Sequence, residues 1–123
     1  MTELTDKSQV MKLYFKCMDT ADFETAASLF ADNALYIRPP FVPGAEAFAS
    51  SGTQTIDGLP AISAFWDERG KRPTRHVIVV ESSSDTEWFA EGVVSVGDSE
   101  ERLFLSHVTF NHEGKVSRFV ALR

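Results

Sequence analysis

Apolar positions along the chain repeat with one period in its first half and another in its second. Val10, Leu13, Tyr14, Cys17 and Met18 follow the i, i+3, i+4, i+7, i+8 spacing of one helical face. Asp6 with Gln9 reads as a capping box that starts this helix. Asp22 is predicted to cap a second helix with Phe23, Ala26, Ala27 and Phe30 turned inward, ended by Ala31-Asp32-Asn33. Leu35 to Arg38 reads as a short strand, stopped by Pro39-Pro40, which removes one ladder donor after another. A third helix is predicted from Pro60, with Leu59, Ile62, Phe65, Trp66 and Arg69 on one stripe and Gly70 at its end.

From Thr74 onward the period is two. Thr74–Ser82, Glu87–Val96, Glu101–Asn111 and Val116–Arg123 alternate as strands, joined by short turn-forming stretches rich in Ser, Asp, Gly and Asn. Turns this short imply antiparallel neighbours. Between the two halves, Phe41–Asp57 has no clear periodicity and is expected to be a long loop, with Phe41 and Phe48 suited to a flap over a cavity. Helices first and a four-strand meander last predict an α+β domain, its helices packed on one face of a bent sheet.

Composition narrows the function classes. The 123 residues fit a single domain, 1–123, large enough for a core without metal or disulfide staples. Ten phenylalanines and two tryptophans make that core strongly aromatic. The net charge of −6 and the lack of a Lys/Arg run argue against nucleic acid and anionic membrane as partners. No apolar run approaches the roughly 20 residues that span a bilayer, and the polar N-terminus lacks a signal core, so a cytoplasmic protein is expected. Cys17, the lone cysteine, falls on the helix's apolar face and reads as a buried, inert thiol. Three scattered histidines lack ligand spacing, and no phosphate loop, nucleophile elbow or dinucleotide fingerprint is present. Neither a metal nor an organic cofactor is expected.

The stretch DFETAASLFADNALYIRPP (Asp22 to Pro40), the GLPAISAFW helix and the terminal FNHEGKVSRFVAL hairpin resemble the nuclear transport factor 2-like superfamily, in its SnoaL-like and ketosteroid isomerase-related branches. The resemblance covers nearly the whole chain. It implies a cystatin-like cone: three helices on a strongly curved, mixed, mostly antiparallel sheet, enclosing a pocket for a small apolar molecule. It also implies a homodimer formed through the sheet, whose outer face is expected to carry Leu103, Leu105, Val94 and Trp88.

Isomerase members keep a tyrosine in the first helix, matched by Tyr14, and end their first strand in Asp-Pro, where this chain has Arg38-Pro39. Their oxyanion-hole aspartic acid matches Ser106. That isomerisation needs a carboxylate base and a neutral acid. Guanidinium stays protonated and a hydroxyl lacks the acidity, so true ketosteroid isomerase chemistry is not expected.

With Ser106 on the cavity face, alternation adds Phe104, Val108 and Arg102 from its own strand. The neighbouring strand is then expected to contribute Phe89, Glu91 and Val93, and the last strand Phe119, Ala121 and Arg123. Arg38 and Glu91, if they face each other there, would form a buried pair able to orient a carbonyl or carboxylate. The alternative places Glu91 in solvent and Arg38 at the cone mouth.

The segment TRHVIV resembles the second strand of scytalone dehydratase and SnoaL-like relatives, which makes His76 the candidate proton shuttle, with Tyr14 as the second catalytic candidate. The competing reading of His76 is a half-exposed strand histidine bonded to a neighbouring carbonyl. On this reading the domain is an isomerase, cyclase or dehydratase without cofactor. Its rival is a binding or assembly module whose cavity is filled by its own aromatics.

Overall fold

The protein is described by a computed structural model over residues 3–39, 52–98 and 100–123. The first helix, α1, runs Glu3–Thr20, so Asp6 lies inside it and not at its cap. Its buried face carries Met11, Tyr14, Phe15, Cys17 and Met18, whereas Leu13 is 41% exposed. The stripe is therefore rotated from the expected one, because α1 is covered by both α2 and the sheet. Burial, aided by the charge of Asp22 and opposed by Lys16, raises the Cys17 thiol pKa, as suits an inert side chain.

Helix α2 (Phe23–Ser28) is capped as its sequence requires: the Thr25 amide donates to Asp22 Oδ1 at 3.2 Å. Strand β1 (Phe30–Arg38) starts directly after it, so Ala31-Asp32-Asn33 is strand and not a break. Strand β2 (Gln54–Asp57) pairs antiparallel with β1. The expected loop Phe41–Asp57 thus ends in a strand, and its residues 41–51, with the proposed flap, lie outside the described residues. Helix α3 (Leu59–Arg69) has Pro60 in its first turn and buries Ile62, Phe65 and Trp66.

Strands β3 (Thr74–Ser83), β4 (Glu87–Val96), β5 (Arg102–Phe110) and β6 (Val116–Leu122) form the meander. The β5–β6 turn is set by Asn111, whose Oδ1 accepts from the amides of Glu113 and Lys115 at 2.9 and 3.0 Å. Gly114 supplies the positive φ of 77° that this turn needs. The sheet order is β2-β1-β6-β5-β4-β3, with β1 parallel to β6 and all other pairs antiparallel. This is the expected α+β cone, three helices against one face of a mixed sheet. No described helix is long and apolar enough to cross a membrane.

The core inside the cone is a set of touching rings. Tyr14 packs on Phe119 at 4.9 Å between ring centres, Tyr36 stacks on Phe119 at 4.8 Å, and Trp66 meets Phe30 edge-on at 5.4 Å. Such pairs add about 0.5–1.5 kcal/mol each beyond burial itself. Gly92 marks where the sheet presses closest: a Cβ there would sit 2.6 Å from ring atoms of Phe104 and from the Val77 carbonyl oxygen. Opposite it, a bulge between Ile78 and Val80 shifts the β3–β4 register.

Candidate functional site

Two side chains from distant elements meet at the heart of the cone. α1 supplies Tyr14 and β1 supplies Tyr36, and their hydroxyl oxygens lie 2.5 Å apart with both rings buried. Burial pushes the Tyr14 phenol pKa well up, helped by the charge of and hydrogen bond to Tyr36 and opposed by Arg69 and Arg38. Tyr14 therefore stays a neutral hydroxyl at any working pH. It can donate a hydrogen bond but cannot serve as a base.

The second grouping joins the end of α1 to the start of β3. His76 Nδ1 lies 2.6 Å from Asp19 Oδ1, and the His76 backbone amide donates to Asp19 Oδ2 at 3.0 Å. The Thr74 hydroxyl donates to the same carboxylate at 2.9 Å, and Arg69 Nη2 reaches Thr74 Oγ1 at 3.5 Å. Burial works against the Asp19 charge, but the bonds from His76 and Thr74 outweigh it, and the carboxyl pKa is lowered. An ionised carboxylate only accepts, so Nδ1 carries the proton and Nε2 is the basic nitrogen. Phe15 and Phe104 wall the imidazole at 5.0 and 5.7 Å, leaving its side chain 9% exposed. His76 is thus neither half-exposed nor held by a neighbouring carbonyl.

Arginines surround these groups. Arg38 ends β1 on the Tyr36 face, its guanidinium 5.1 Å from the Phe65 ring centre and its Nε donating to the Pro39 carbonyl at 2.8 Å. Arg69 ends α3, where its Nη1 donates to the Gly70 carbonyl at 3.1 Å. Arg123 is solvent-exposed as a residue, yet desolvation by its crowded surroundings, followed by the charge of Arg38, lowers its guanidinium to about 10, Arg69 adding to the effect and the two tyrosines opposing it. Arg72 is lowered by burial, then by Arg69 and Arg38. Arg38 and Arg123 were expected at the cavity from the sequence and Arg69 lay on the apolar stripe of α3, whereas Arg72, in the connection to β3, gave no signal.

Of the expected lining residues, Phe104, Ser106, Val108 and Phe119 are buried on the inner face. The Ser106 hydroxyl is committed to the backbone, donating to the Val120 carbonyl at 2.8 Å. Phe89, Glu91 and Val93 are a correction. They pair with His107, Leu105 and Leu103, so they share those residues' outer face, while Trp88, Ala90, Gly92 and Val94 turn inward. Glu91 and Arg38 therefore project from opposite faces and form no pair; Glu91 is exposed, as the alternative reading held. Trp88 and Val94, expected outside, are 0% and 1% exposed, with Trp88 Nε1 donating to Glu81 Oε1 at 2.9 Å.

The true outer face carries Leu103 at 62% and Leu105 at 58% exposure, with Val79, Val80, Phe89 and Leu122. It holds a groove of about 330 Å³ lined among others by Val80, Phe89, Glu91, Leu105, His107 and Leu122. His107 Nε2 lies 2.6 Å from Glu87 Oε1 there, its ring stacked on Phe89 at 4.5 Å. Among the described residues no group of three or more His, Cys, Asp or Glu side chains could hold a metal ion.

Known proteins share the fold that holds these residues. The family profile of the SnoaL-like domain matches residues 2–113. A proposed ketosteroid isomerase from Kribbella flavida superposes with a TM-score of 0.72 at 18% identity, over 99% of this chain and 80% of its own. An epoxide hydrolase of limonene-epoxide-hydrolase type from Mycobacterium tuberculosis gives 0.74 at 12% identity, over 98% and 84%. Another M. tuberculosis protein, solved with estradiol-17β-hemisuccinate, gives 0.72 at 17% identity, over 94% and 92%. At these identities the likeness carries the fold alone. The search of curated proteins gave no match.

Proposed function

The chain belongs to the SnoaL-like domain family, and on that premise we propose that it holds a small, largely apolar molecule inside the cone and moves a proton on it without metal or organic cofactor. The observation that carries this reading is the 2.6 Å contact between His76 Nδ1 and Asp19. With Nδ1 held as donor, Nε2 takes a proton from the carbon next to a substrate carbonyl. The released electron pair flows to the carbonyl oxygen, where the neutral Tyr14 hydroxyl and the positive potential of Arg38 stabilise the enolate. The imidazolium then returns the proton at a second carbon, giving isomerisation, or to a leaving hydroxyl, giving dehydration. The protein similar in fold that is solved with estradiol-17β-hemisuccinate supports a fused-ring scaffold as the first ligand class to test.

The test is proton exchange in deuterium oxide, followed by NMR over a set of cyclic and fused-ring ketones. Exchange above the buffer rate is expected for ketones that bind, falling about 100-fold in His76→Ala with binding kept. Ketones that bind but exchange no faster than in buffer would overturn the catalytic reading.

That outcome would favour the second reading, a binding or assembly module. It has its own support: Tyr14 and Tyr36 already bond each other, and Ser106 already bonds the backbone. Either way, the chain is proposed to pair with a second copy through the outer sheet face, where Leu103, Leu105 and Leu122 make a surface too apolar to stay in water.

A further inference from the structure

Four of the chain's arginines gather at one end of the cone, against an overall charge of −6. Their convergence follows from the topology. Arg38 lies at the end of β1, which runs parallel to β6 with Ile37 beside Val120. Arg123 follows Leu122, the last residue of β6, which pairs with Leu105; Arg123 continues the inner phase of Phe119 and Ala121 at the solvent-exposed end of the strand. Arg69 closes α3 and Arg72 lies in the connection to β3. Two strand ends, a helix end and its following loop therefore aim cations at one region, near the hydroxyls of Tyr14 and Tyr36.

Cations that are partly withdrawn from water raise each other's cost, and an anion among them offsets it. Beyond desolvation, the charges of Arg38 and Arg69 lower the pKa of both Arg123 and Arg72, as such closeness requires. Arginine's planar fork suits a carboxylate, which it can grip through two parallel hydrogen bonds. Phe65 supplies an apolar wall beside the Arg38 guanidinium, and Phe104 and Phe119 are buried on the inner face of the sheet.

We infer that the ligand is a carboxylate-bearing apolar molecule, its carboxylate held at the Arg38–Arg69–Arg123 end of the cone and its apolar body against the aromatic wall. This rests on the proposal that the cone interior is a ligand cavity.

Calorimetric titration of the whole protein with naphthylacetate and with its uncharged amide tests it, since the two share shape and differ in charge. The acid is expected to bind about tenfold or more tighter than the amide at low salt, the preference shrinking as salt is added. Arg38→Gln and Arg69→Gln should each bring that preference to about threefold or less, while Arg75→Gln, which removes an exposed cation on β3, should leave it unchanged. Equal binding of acid and amide overturns the inference and leaves the cavity reading standing, as does an acid preference that both variants keep. Binding of neither overturns the cavity reading and this inference with it. Should Arg69→Gln unfold through loss of its bonds to Gly70 and Thr74, the wild-type comparison and Arg38→Gln still decide.

Discussion

His76–Asp19 and His107–Glu87 are the same bond in two settings. Each places an imidazole nitrogen 2.6 Å from a carboxylate oxygen. In each, burial opposes the carboxylate charge while hydrogen bonds from the histidine and nearby hydroxyls lower the carboxyl pKa. The settings differ in everything else. Asp19 reaches from a helix to a strand 57 residues away, and its histidine, 9% exposed, is closed in by Phe15 and Phe104. Glu87 and His107 lie diagonally across the β4–β5 pair on the outer face, where the histidine side chain is 36% exposed. A contact distance therefore says little about a histidine's role. What separates a candidate base from a surface pair is how far water is shut out and what faces the free nitrogen.

The largest expected effect breaks the inner pair. Asp19→Ala strips the acceptor from the His76 ring, the His76 amide and the Thr74 hydroxyl, and should lower stability by about 3 kcal/mol in chemical denaturation. A loss below about 1 kcal/mol would make the two pairs equivalent. The charge has its own signature. The Asp19 folded-state pKa lies below the ordinary 3.8, so its contribution is complete above that value and lost as pH falls through the folded one. Asp19→Asn should therefore lack part of the wild-type loss of stability in acid, measured by thermal melting across pH.

Next comes the outer face as an interface. Light scattering at tens of micromolar is expected to give about twice the 13.7 kDa chain mass, and Leu105→Lys to return the monomer. A monomeric wild type would leave that apolar face to another occupant. Glu87→Ala should cost less than about 1 kcal/mol, as partly exposed pairs do, with proton exchange on ketones unaffected. The smallest expected effect is none at all: turnover of β,γ-unsaturated ketosteroids at the buffer rate, since Arg38 on β1 stands where an isomerase base would be and the candidate base His76 lies on β3, toward the other edge of the sheet. Turnover abolished by Tyr14→Phe would show that the residues around Tyr14 still work as an isomerase.

Much of this architecture was readable residue by residue. The Asp22 cap, Pro60 in the first turn of α3 and the four meander strands are local matters, decided by dihedral preferences and short turns. They carried the α+β fold, whereas the inward face of β5, Tyr14 and His76 were singled out by the family resemblance. Laying β4 beside β5 did not fix its phase; the better signal was the row free of charge, Trp88, Ala90, Gly92 and Val94, against the row that holds Glu87 and Glu91. Packing agrees: Gly92 turns inward where Phe104 and the Val77 carbonyl leave no room for a Cβ. The pairing of β2 with β1, the Asp19 partner of His76 and the gathering of Arg38, Arg69, Arg72 and Arg123 were settled only when distant segments closed on one another. Periodicity records which side of an element is apolar; the partner of each polar group depends on contacts tens of residues apart, which no local pattern encodes.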